Sequence, residues 1–140
     1  MTFDVLGDVN WLAILIATLV YMVLGAIWYG PLFGKAWMNA IGWDGADEQR
    51  PGPGIYAFPA VAYLIASIAT AMLAEASGSD TVGEGLVLGL VVGIGYALTL
   101  TMVAVTFDPT KRPAPANLVM ITGLYNLVSL VIAGILVSAM

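Results

Sequence analysis

No Asp, Glu, Lys or Arg lies between Asp8 and Lys35, between Arg50 and Glu75, between Glu84 and Asp108, or after Arg112. Each of these four gaps exceeds the roughly 20 residues a helix needs to cross the hydrocarbon of a bilayer. Inside lipid every backbone N–H and C=O must find a partner, and a helix provides them within itself. A transmembrane barrel would instead show segments of about 10 residues with alternating polarity. Here the apolar runs are continuous. The reading is an all-α integral membrane protein, a four-helix bundle in a single transmembrane domain over residues 1–140. A soluble chain is usually near 25% charged, whereas this one is 9% charged and 61% hydrophobic. At this length a soluble fold could not hide so much apolar surface.

The spans are expected at about 11–29, 56–74, 82–107 and 117–138. Asn10 stands at the N-cap of the first, where its side chain can accept an orphan N–H. Pro59 falls early enough in the second to sit near its first turn, where a missing N–H costs little. Thr81-Val82-Gly83-Glu84 reads as a capping box for the third, and Asp108-Pro109 ends it. Between the first two spans, residues 31–41 read as a short interfacial helix, with Pro31 at its start and Gly42 past its end. Its Phe33 and Trp37 are expected to dip toward acyl chains, with Lys35 toward headgroups. Trp11, Trp28, Trp37 and Trp43 all fall near span ends or in this loop, as interfacial anchors should. The stretch Arg50-Pro51-Gly52-Pro53-Gly54 reads as a stiff linker. Asp4 and Asp8 replace the basic residues of a cleavable leader, and the first apolar run is too long for one.

There is no Cys and no His. That removes disulfides, thiol nucleophiles, thiolate metal sites and His-ligated haem. No phosphate-binding loop or nucleophile triad is present, so no catalytic, cofactor-binding or metal-binding residue is assigned. The chain is expected not to be an enzyme, and no nucleic-acid partner is expected.

In the third span Gly85, Gly89, Gly93, Ala97 and Thr101 recur every four residues. Such a row lets a partner backbone approach closely, which is how membrane helices gain contact without a hydrophobic drive. The partner could be in the same chain or in another copy. The opposite face carries Gly95, Thr99, Met102 and Thr106, so this span is expected to be the most enclosed. The fourth span carries Thr122, Asn126, Ser129 and Ala133 on one face. Intramembrane polar groups mark either packing hydrogen bonds or a pathway. Glu84, Thr99, Thr122, Asn126 and Ser129 are therefore the candidate polar pathway. Glu84 fits its cap better than an ion site.

Tyr63-x-x-x-Ser67-Ile68-x-x-Ala71 echoes Tyr125-x-x-x-Ser129-Leu130-x-x-Ala133. Two parallel hairpin repeats would produce this, and so would chance similarity among apolar helices. The segments Asn10-Trp11-Leu12-Ala13-Ile14 and Gly25-Ala26-Ile27-Trp28-Tyr29-Gly30-Pro31-Leu32-Phe33-Gly34-Lys35-Ala36-Trp37, with the later Glu84-Gly85-Leu86-x-Leu88-Gly89, resemble the bacterial membrane family catalogued as domain-of-unknown-function family 1761. The resemblance implies a four-helix membrane protein and supplies no catalytic residues.

Two function classes stand. One is a packing or assembly protein, as a homo-oligomer or as a subunit with a membrane protein partner. The other is a pore or carrier for a small solute or ion, lined by polar residues of the third and fourth spans. The lipid bilayer is the first partner in either case, and a multi-pass place in the cytoplasmic membrane is expected. All four cations, Lys35, Arg50, Lys111 and Arg112, lie in the first and third loops. Positive loops stay cytoplasmic, which puts both termini outside. A Ser79→Cys variant, the only cysteine in the chain, should then react with an impermeant thiol reagent added from outside. Labelling only from the cytoplasmic side would invert the topology.

Overall fold

The computed structural model describes residues 2–43 and 53–140. Arg50 and the Pro51-Gly52 part of the linker lie outside the described residues. Four helices are long and apolar enough to cross a membrane: Trp11–Leu32, Ala57–Ser77, Val82–Thr106 and Pro115–Ala139. The first comprises α1 (Trp11–Ile27) and a π turn (Trp28–Leu32), and is followed by the short helix α2 (Gly34–Ile41). The second is α3 (Ala57–Ser77). The third comprises α4 (Val82–Val92), a π turn (Gly93–Leu98) and α5 (Thr99–Thr106), and the fourth is α6 (Pro115–Ala139).

The span ends follow from local chemistry. Asn10 Oδ1 accepts the N–H groups of Leu12 and Ala13 at 3.0 and 3.1 Å. Gly78, at φ +67°, closes α3 in the left-handed conformation that glycine adopts without cost. That carries the second span past its expected end at residue 74. Pro115 begins the fourth span two residues earlier than expected, because the first helical position needs no N–H.

The short helix starts at Gly34, not at Pro31. Gly30 leaves helical geometry at φ −100°, ψ −107°, and Pro31 has no N–H to continue the ladder. The chain closes with a wider turn, in which the Phe33 N–H donates to Trp28 O at 2.8 Å. This kink folds α2 back against the protein. Phe33 rests on Trp28, with ring centroids 4.8 Å apart, and Trp37 meets Tyr29 edge-on at 5.6 Å. These two side chains are thus half-buried against the end of the first span. Ala40 is fully buried, and α2 packs on α6. Arg112 fastens the far end of α2: Nη1 donates to Ile41 O at 3.3 Å, and Nε pairs with Asp108 at 2.9 Å. The Thr110 hydroxyl and the Arg112 guanidinium hold the Asp108 carboxyl down at about 2.

The fourth span is the centre of the fold. It packs against α1, α2, α3, α4 and α5, whereas the third span packs mainly on the fourth and only lightly on α3. Of the most apolar stretch of each span, 39% of the fourth is buried but only 11% of the third. The expectation that the third span is the most enclosed is thus overturned. Small residues on two faces permit two partners, but within the chain only one face has one.

That one face carries Gly85, Gly89 and Gly93, all buried. A Cβ at Gly85 would strike the Gly134 carbonyl. One at Gly89 would stand 2.7 Å from Leu130 O and closer still to Val131 Cα. One at Gly93 would stand 2.5 Å from Leu127 Cδ1. Beyond Gly93 the π turn adds a residue to the turn and shifts the register. The next side chain against the fourth span is Leu98, seated over Gly123. Ala97 and Thr101 are half-buried, and the Thr101 hydroxyl donates to Ala97 O at 2.7 Å.

Gly89→Leu should destabilise the fold by about 3 kcal/mol or more, because the clash is with backbone that cannot swing aside. Unfolding in a denaturing-detergent titration measures this. An unchanged midpoint would show that the backbones do not meet there.

Candidate functional site: a tyrosine cluster and its cleft

Three tyrosines from three spans meet in the interior: Tyr21 on α1, Tyr63 on α3 and Tyr125 on α6. The Tyr21 and Tyr63 rings stack at 4.9 Å and 10°. Tyr125 tilts against Tyr63 at 6.2 Å and against Tyr29 at 5.1 Å. Tyr125 is 1% exposed, and its hydroxyl donates to the Tyr21 carbonyl at 2.9 Å. Gly25 makes that approach possible, since a Cβ there would lie 3.0 Å from the same hydroxyl. Trp28 adds a second tie between the first and fourth spans, its indole N–H donating to Ile121 O at 3.0 Å. Trp28 and Trp37 are half-buried among these rings, while Trp11 and Trp43 are exposed.

The sequence echo maps onto this interior. Ser67 and Ala71 below Tyr63, and Ser129 and Ala133 below Tyr125, are all buried. Among the described residues the Tyr21, Ser67 and Ser129 hydroxyls find no hydrogen-bond partner. Tyr63 and Tyr125 touch across the two spans that run in the same direction, as parallel hairpin repeats would place them.

Of the candidate polar-pathway residues, Thr122, Asn126 and Ser129 lie on α6, while Glu84 and Thr99 are exposed on the third span. Glu84 is fully exposed and caps α4: its N–H donates to Thr81 Oγ1 at 3.2 Å, and its Oε2 accepts the Thr81 and Asp80 N–H groups at 3.1 Å. Thr99 is exposed, its hydroxyl donating to Gly95 O at 2.7 Å. Thr122 and Asn126 are half-buried, and Ser129 is buried. Among the described residues, no three His, Cys, Asp or Glu side chains come together to hold a metal ion.

Beside the cluster lies a cleft of about 440 Å³ between the first and second spans. Met22, Gly25, Ala26, Tyr29 and Gly30 line one wall, and Tyr56, Pro59 and Tyr63 the other. The two spans close at the opposite end, where Ile14 and Ala71 are buried together. Toward the first loop the cleft lies between them, and Gly25, Ala26 and Gly30 leave its wall with little side-chain bulk. Sequence reasoning did not single out the tyrosines as a site. The available signal was the paired Tyr-x-x-x-Ser echo.

Fold and interior together define a polytopic all-α membrane protein with an aromatic core. A family model described as "Protein of unknown function (DUF1761)" matches residues 12–138, and the chain belongs to that family. No curated protein and no solved structure matches it.

Tyr125→Phe keeps the ring and removes the donor, so it should cost about 0.6–1 kcal/mol, the usual worth of a hydrogen bond between membrane helices. Gly25→Ala should destabilise the native protein, and less so the Tyr125→Phe variant, where the crowded oxygen is gone. Additive costs in this double-mutant cycle would sink the proposed contact.

Proposed function

We propose that this chain is a non-catalytic assembly protein of the cytoplasmic membrane, with both termini outside, that associates with a second copy or another membrane protein through its third span. The observation that carries the reading is the one-sided packing of that span. Its glycine face is used on the fourth span. Its other face presents Gly95, Tyr96, Thr99, Met102 and Thr106, all exposed, and a Cβ at Gly95 would meet nothing within 4 Å. Small residues at an open surface let a second helix come close.

The rival reading, a solute or ion pore, has less support. Ala13, Ala17, Tyr21, Tyr125 and Ala133 fill the interior where a lumen would run. Charged side chains, which usually mark ion routes through membranes, are absent from the middle of every span.

Gly89 and Gly95 separate fold from assembly. Gly95→Leu should leave the unfolding midpoint close to that of the native protein while lowering the mass of the complex in mild detergent or nanodiscs. Native mass spectrometry reads this directly. An unchanged complex mass, or a single-chain mass for the native protein with no co-purifying partner, would remove the assembly reading.

A further inference from the structure

We propose that the cleft between the first and second spans binds the polar end of an uncharged amphiphile, of the diacylglycerol type, entering sideways from the leaflet that holds the first loop. The cleft, about 440 Å³, lies in the range of small-ligand sites. It lies at the first-loop end of two candidate membrane spans, and Ala26 and Tyr56 at its rim are exposed. On the first-span wall Gly25, Ala26 and Gly30 leave room between the larger side chains of Met22 and Tyr29.

The lining selects the ligand. Tyr29, Tyr56 and Tyr63 are among the lining residues, and a phenol hydroxyl can donate to or accept from an ester or hydroxyl. Met22 and Pro59 supply apolar wall. Among the described residues none that lines the cleft is charged, so a phosphate or ammonium pushed against them would lose water without gaining a counter-charge. An uncharged head loses far less. At Gly25 the wall is thin, with the Tyr125 hydroxyl directly behind it. One turn away, the buried Tyr21 hydroxyl has no hydrogen-bond partner among the described residues. The polar end of the guest therefore meets the side of the fold where hydroxyls gather, and its chains stay in the bilayer. This site is separate from the exposed face of the third span.

The test uses the full chain in phosphatidylcholine nanodiscs and reads quenching of its tryptophan fluorescence, since Trp28 and Trp37 pack against Tyr29 or its neighbours. The probes are brominated diacylglycerol, brominated phosphatidylglycerol and brominated phosphatidylcholine. Brominated diacylglycerol should quench saturably at a few mole per cent, and brominated phosphatidylcholine only in proportion to its amount. Ala26→Phe, a change at an exposed position, should fill the cleft and abolish the saturable component while circular dichroism stays native. Tyr63→Phe, which keeps the ring, should weaken it roughly threefold, the worth of one membrane hydrogen bond. Equal quenching by all three lipids, or saturable quenching that survives Ala26→Phe, would overturn the proposal. So would a preference for phosphatidylglycerol that salt removes, which would mean that the loop cations hold a headgroup instead. Complex mass is read separately, so failure here leaves the assembly reading standing and the converse also holds.

Discussion

Close backbone contact between the third and fourth spans is the constraint on which the rest of this fold depends. In lipid, burying a leucine against another helix gains little over leaving it among acyl chains, so helices must gain from contact density and hydrogen bonds. Gly85 and Gly134 face each other with no side chain between them, and Gly89 lies on the Leu130–Val131 backbone. The third span is thereby seated on one side of the fourth. The remaining sides of the fourth are free to receive α1 and α3, and those contacts create the aromatic interior.

The interior is held by a different kind of force. Tyr125 and Trp28 join spans by donating hydrogen bonds to the carbonyls of Tyr21 and Ile121, and the rings fill volume that alanines leave open. Buried hydroxyls without protein partners remain in the same region. A polar interior without charge holds a helix arrangement in register through hydrogen bonds between spans.

Much of the architecture was legible in the sequence because its cause is simple. Charge-free gaps locate spans whatever the packing, and Asn10, the Thr81–Glu84 box and Gly42 act through their immediate neighbours. The short helix was displaced to Gly34 because Gly30 can leave the helical region altogether, which no periodicity records. The enclosure of the third span was misjudged for a related reason. A row of small residues states what a face can accept, not whether this chain supplies it. The glycine row also meets a π turn, beyond which Leu98 is seated over Gly123 of the fourth span. The tyrosine cluster was missed because aromatic residues in membrane proteins are first read as interfacial, and only the Tyr-x-x-x-Ser echo hinted at an interior pair.

The hydroxyl of Tyr125 reaches the carbonyl of Tyr21 across 104 positions of chain. Spans are synthesised in order, so the first one enters the bilayer without the partner that will fill its inner face. Ala13, Ala17 and Gly25 must lie against lipid or against α3 alone until the last of the four spans arrives. Biogenesis therefore has a late closing step, in which one helix completes the contacts of the others almost at once. A lesion in α6 should leave the earlier spans inserted yet loosely associated, the kind of half-finished intermediate that membrane quality control recognises.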